Sequence, residues 1–97
     1  MAVLGIEYTL RPGFTHGEAR QEADDAIAGW TADIALPPPL GSRGLLLIKP
    51  AHGVRVRMVG QEVTQFCSDT KRTLEASPFH KKATVLQVRV LRTPGSR

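Results

Sequence analysis

Three segments alternate apolar and polar residues cleanly, with the period of two that a half-buried strand requires. Two more repeat their apolar residues about every 3.6 positions, as a helix does. The first alternation runs from Val3 to Leu10, with Leu4, Ile6, Tyr8 and Leu10 on one face and Gly5, Glu7, Thr9 and Arg11 on the other. Pro12-Gly13 ends it. Thr15-His16-Gly17-Glu18 then carries the residues of a capping box, the Thr15 hydroxyl bonding forward and the Glu18 carboxylate reaching back. Ala19, Ala23, Ala26, Ile27 and Trp30 follow on one helical face, opposite Glu18, Gln21, Glu22, Asp24 and Asp25. Gly29 suits the left-handed residue that closes such a helix.

Trp30, Ala32, Ile34 and Leu36 alternate with Thr31, Asp33 and Ala35, so residues 31–36 are an optional extra short strand. Pro37-Pro38-Pro39 forbids both helix and ladder pairing, and Gly41-Ser42-Arg43-Gly44 extends the loop. Leu45 to Ile48 has the composition of a buried strand. Pro50-Ala51-His52-Gly53 reads as a tight turn into Val54, Val56 and Met58, which alternate with Arg55 and Arg57, so the pair predicts a hairpin. Val63, Phe66, Cys67, Thr70 and Leu74 form a second helical stripe, stopped at Ser77-Pro78. Leu86, Val88 and Val90 alternate with Gln87, Arg89 and Leu91 in a last strand.

The predicted order is β-α-β-β-α-β, the ferredoxin-like plan: an α+β domain with an antiparallel sheet and both helices on one face. It occupies residues 1–92, with 93–97 expected as a flexible tail. The plan by itself implies no activity.

Composition narrows the class. The chain has 97 residues, 41% hydrophobic and 23% charged, which suits a folded domain. The lone Cys67 excludes an internal disulfide and any cysteine-cluster zinc site. The longest apolar run, Leu45 to Ile48, is far short of the roughly 20 residues that span a bilayer, and the first ten residues lack a signal-peptide pattern. A soluble, cytoplasmic protein with no membrane partner is expected. Its net charge of +4 is uneven. Residues 1–36 set Arg11 and Arg20 against Glu7, Glu18, Glu22, Asp24, Asp25 and Asp33, while eleven of the thirteen bases follow. Such asymmetry speaks to partners.

With one side of the sheet covered, the other shows Glu7, Thr9 and Arg11 on the first strand, Arg55 and Arg57 on the third, and Gln87 and Arg89 on the fourth. The third strand is central in this plan, so Arg55, Arg57 and Arg89 predict a basic strip that contacts an anionic partner, nucleic acid or an acidic protein. No outward position is aromatic, so base stacking is not expected. A second cluster gathers at one pole: His16, His52 and His80 in three connections, with Lys49, Lys81, Lys82, Arg11 and the first helix's N-terminus. That is the make-up of an anion site, and its lysines oppose a metal ion. A strand at 31–36 would reverse the later strands and remove His16 from the group.

No dinucleotide, Walker, nucleophile-elbow or zincin motif occurs. Asp24 and Asp25 diverge by about 100° on a helix and cannot share a proton. Cys67, on an apolar stripe, is expected to be buried and unreactive. The leading expectation is therefore a non-enzymatic module, without metal or cofactor, that contacts an anionic partner through Arg11, Arg55, Arg57, Arg89, Lys81 and Lys82. The alternative is a homo-oligomeric assembly protein joining an acidic helix to a basic sheet. A third reading, a small dimeric α/β-barrel enzyme, needs an apolar open sheet face, which Glu7, Arg55, Arg57 and Arg89 oppose.

Overall fold

Capping, turns and strand parity set the elements in this order: β1 (Val3–Leu10), α1 (His16–Ala26), β2 (Trp30–Ile34), β3 (Arg43–Pro50), α2 (Gln61–Glu75), α3 (Phe79–Lys82) and β4 (Ala83–Arg92). The computed structural model describes residues 3–53 and 60–92. The result is an α+β arrangement in which one open, four-stranded antiparallel sheet, ordered β2-β3-β1-β4, carries two main helices. α1 lies against β2 and α2 against β4, with the short α3 touching both helices. Ala19 and Ala23 of α1 and Leu74 of α2 enter the same core as Leu4, Ile6 and Tyr8 of β1, so both helices cover one face. Among the described residues nothing covers the other. No helix among them is long and apolar enough to cross a membrane.

The predicted start of α1 is present atom for atom. The Glu18 backbone N–H donates to Thr15 Oγ1 at 3.2 Å, and the Thr15 N–H donates to Glu18 Oε1 at 3.0 Å. Gly29 takes a φ of +83°, which a residue with a Cβ rarely adopts. Trp30 opens β2, where its ring stacks on Phe66 of α2 with centroids 4.8 Å apart. On α2 the stripe faces inward as its spacing requires: Val63, Thr70 and Leu74 are buried, with Phe66 and Cys67 half-buried.

One optional element is present, and two expectations change. The optional strand at 31–36 is a full member of the sheet, Trp30–Ile34, and it forms the hairpin with β3 across the proline loop. Prolines that cannot donate to a ladder serve well in the connection, where no donor is needed. Of the hairpin expected between Leu45–Ile48 and 54–58, only the first strand lies among the described residues, where Leu46, Leu47 and Ile48 pair with β1 on one side and β2 on the other. Residues 54–59, Arg55 and Arg57 among them, lie outside the described residues, as does 93–97.

The other change concerns parity on β4. Glu7 stands opposite Gln87 and Tyr8 opposite Val85, so Leu86 is an extra, bulged residue. Leu4 opposes Val90 and Val3 opposes Arg92, which makes Leu91 a second. The first bulge brings Ala83 and Val85 into the core and leaves Leu86 exposed, where simple alternation puts Leu86 inside. The chain after Ser77-Pro78 also forms a helical turn, α3, whose Phe79 is fully buried edge-on to Tyr8 at 6.1 Å.

Candidate functional site

Because Leu46 and Ile48 of β3 point into the core, Arg43, Leu45, Leu47 and Lys49 point out. On β1 the outward set is Val3, Gly5, Glu7 and Thr9. Gly5 makes a shallow floor in the middle of the face. A Cβ there would come within 3.0 Å of Leu91 Cδ1 and 3.1 Å of Leu45 Cδ1, so those two side chains meet over it. Beside them Val3, Leu47, Lys49, Leu91 and Arg92 line a hollow of about 290 Å³. The centre of the open face is therefore apolar, on the very strand that sequence parity places as a buried run.

Glu7 and Asp33 pair with cations around that centre. Glu7 holds Arg89 Nε at 3.0 Å and Arg43 Nη2 at 3.6 Å, and Lys49 Nζ stands 3.9 Å from Asp33. Exposed pairs of this kind contribute at most about 1 kcal/mol each, so they order the rim more than they hold the fold.

Of the predicted cations, Arg89 sits on this face and shares Glu7. Arg11, Lys81 and Lys82 come together elsewhere, at the pole where β1 ends and β4 begins. Arg11 Nε donates to the His80 carbonyl at 2.6 Å, and its Nη2 lies 3.2 Å from His80 Nε2. Lys82 pairs with Glu22 at 2.6 Å, a hydrogen bond that raises the ammonium pKa. Lys81 is exposed. The helix N-terminus expected to attract an anion there is already answered by the Glu18 carboxylate, which accepts from both the Thr15 N–H and hydroxyl.

The acidic face of α1 is likewise engaged at home. Glu22 holds Lys82, Asp24 accepts the Ala32 N–H at 2.9 Å, and Asp25 accepts from Gln21 at 3.0 Å. The first two bonds tie α1 to the turn before β4 and to β2, while the third stays within the helix.

The three-histidine pole is corrected. β2 carries the chain back up and β3 down again, so His52 follows β3 at the end where Ala51 donates to the Gly29 carbonyl. His16 and His80 stay at the other end, and it is His52, not His16, that leaves the group. Both His16 nitrogens are occupied: Nε2 donates to the Gly41 carbonyl at 2.8 Å, so Nδ1 accepts from the Tyr8 hydroxyl at 2.6 Å. Among the described residues no three His, Cys, Asp or Glu side chains gather as a metal-binding group. Cys67 is half-buried, in a groove between α2 and β4, and burial pushes its thiol up.

Burial also pushes the Tyr8 phenol from its ordinary 10.0 up to about 12. An unfolded chain releases this proton first, so the stability Tyr8 contributes is intact below pH 10, declines between pH 10 and 12, and is lost beyond. Tyr8 is the only tyrosine. Phenolate absorbance should therefore appear late in the native protein, and the stability gap between wild type and Tyr8→Phe should close over that same interval. Titration at the ordinary value in the folded state would show that the ring is not sealed.

The outward leucines are what sequence reasoning missed. Read as a run, Leu45-Leu46-Leu47-Ile48 looks buried on both sides. Read with its flanks, Arg43, Leu45, Leu47 and Lys49 share one parity, and two charges at its ends mark a wet face. No protein-family model, curated protein or solved structure matches this chain.

Proposed function

We propose that this chain is a small non-enzymatic module that associates through its open sheet face with a second copy of itself, on a ferredoxin-like plan. The strand order β2-β3-β1-β4, all antiparallel, supports the plan. One observation carries the association: Leu45 and Leu91 meet over Gly5, with Leu47 and Val3 beside them, on a face that no described element covers. Contiguous exposed apolar surface rimmed by polar groups is characteristic of interaction sites.

The rim argues for a second copy. It carries Glu7 and Asp33 as well as Arg43, Lys49 and Arg89, so both signs lie on one face, which a self-complementary contact between two copies can use. A polyanion would instead meet Glu7 at the centre of the basic strip. The competing reading, an anionic partner on Arg55, Arg57 and Arg89, draws its support from the charge of the chain's second half.

Light scattering after size-exclusion chromatography, at two salt concentrations and with or without single-stranded nucleic acid, separates the two. A dimer is expected, indifferent to nucleic acid. Leu47→Glu should weaken it at least about thirtyfold, since a charge forced into a hot-spot position costs about 2 kcal/mol or more. The variant monomer should keep its fold, because Leu47 lies outside the core. A monomeric wild type that binds the nucleic acid would replace this reading with the anionic one.

A further inference from the structure

We propose that the hollow at one end of the open sheet face binds a free single-chain anionic amphiphile, a carboxylate carried on a short alkyl tail. The hollow, of about 290 Å³, is lined by Val3, Leu47, Lys49, Leu91 and Arg92. This site goes beyond the association proposed above: it shares Leu47 and Leu91 with that surface but needs no second copy.

Strand register gives the hollow a direction. Arg92 on β4 stands opposite Val3, and Lys49 on β3 lies one position beyond Ile48, the partner of Leu4. Two cations therefore flank Val3 in one row across the end of the sheet. Neighbouring strands lie about 4.8 Å apart, so both long side chains reach a single head group placed between them. The next row inward sets Leu47 opposite Gly5, with Leu91 Cδ1 3.0 Å from where a Gly5 Cβ would stand. The row after that sets Leu45 opposite Glu7. Positive charge comes first, apolar side chains next and a carboxylate last. An anionic head with an apolar tail fits that order in one orientation only.

The bulge at Leu91 makes the arrangement possible. Regular alternation would send Leu91 and Arg92 to opposite faces, whereas the extra residue lets both line the same hollow. The two cations are also available. Lys49 Nζ is 3.9 Å from Asp33, the outer limit of an ion pair, and Arg92 pairs with no carboxylate among the described residues. Among those residues no carboxylate lines the hollow. A ligand carboxylate between Lys49 and Arg92 would accept charge-assisted hydrogen bonds, the stronger class, while its tail covers Leu47 and Leu91. The volume equals about ten water-sized groups at about 30 Å³ each, so the tail is short.

Titration of the isotope-labelled protein with octanoate, followed through its backbone amide resonances, tests this. Saturable one-to-one binding is expected, with shifts centred on Val3, Gly5, Leu47 and Arg92. Octylammonium should bind at least about tenfold more weakly. Arg92→Gln should weaken octanoate about tenfold, as loss of a charge-assisted hydrogen bond does, and leave octanol binding unchanged. Lys81→Gln, which removes a cation at the other end of β4, should bind like wild type. A monomeric wild type that binds octanoate supports this site and removes only the second copy. Absence of saturable shifts, equal affinity for octylammonium, or octanoate affinity unchanged in Arg92→Gln overturns the proposal. Binding to phosphatidylglycerol vesicles in place of octanoate also overturns it, by making the face a lipid-surface contact.

Discussion

Replacing Gly44 with alanine is expected to destabilise the protein by about 3 kcal/mol, the sum of an overpacked core and a strained buried hydrogen bond. Gly44 lies on β3 directly opposite Tyr8 of β1, on the core side of the sheet. A Cβ there would stand 2.5 Å from the Tyr8 hydroxyl oxygen, 2.7 Å from its Cζ and 3.1 Å from His16 Nδ1. The tyrosine has no retreat. It is fully buried on a central strand, edge-on to Phe79, and its hydroxyl is committed to His16 at 2.6 Å. The demand on Gly44 is for space, not for an unusual backbone angle, since its φ is not positive. Urea denaturation measures the loss. In a Tyr8→Leu background the same substitution should cost almost nothing, and a cost under about 1 kcal/mol in the wild type would mean that the ring has room to slide.

Phe79→Ala should cost more, about 4 kcal/mol, as deletion of a fully buried phenylalanine typically does. That is a large share of the 5–15 kcal/mol available to a domain of this size. Phe79 is the single buried residue of α3, and it alone pins that turn against Tyr8. With the ring gone, α3 loses its seat, and the contacts that depend on its position weaken: Arg11 with the His80 carbonyl and Lys82 with Glu22. The amides of His80 and Lys81, which donate to the carbonyls of Ser77 and Pro78, should then exchange with solvent much faster than those of α1. Phe79→Leu, which refills most of the volume, should restore most of the protection. Unaltered exchange in Phe79→Ala would show that the turn is held by its own hydrogen bonds.

These two residues also mark where sequence reading succeeds and where it stops. Elements whose cause lies within a few positions were legible: the Thr15–Glu18 capping box, the left-handed Gly29, the parity of Leu4, Ile6 and Tyr8, and the α2 stripe ending at Leu74. Features decided by competition between distant segments were not. Leu45–Ile48 shows two turn signals, one on each side, and only the free edge of β1 and the arrival of β2 select its partners. A bulge such as Leu86 answers to the register of β1, which alternation on β4 alone does not contain. The candidate site suffered most from this. Sequence shows that a cation exists but not what faces it, and Arg89 meets Glu7 across 82 positions of chain. Of the three arginines in the predicted basic strip, Arg89 is paired with Glu7, while Arg55 and Arg57 lie outside the described residues.

The two bulges on β4 limit how far another chain could extend the sheet at this edge. A ten-residue strand at the end of a sheet offers a row of backbone donors and acceptors that another chain can extend. Cross-β stacking needs about six or seven residues in uninterrupted register. Leu86 and Leu91 divide β4 into regular stretches of only Ala83–Val85 and Gln87–Val90, each with its own parity. A strand from another molecule that matched one stretch would fall out of step with the next. The same displacement that lets Val85 turn inward thus leaves Val88 and Val90 in a segment too short to template growth.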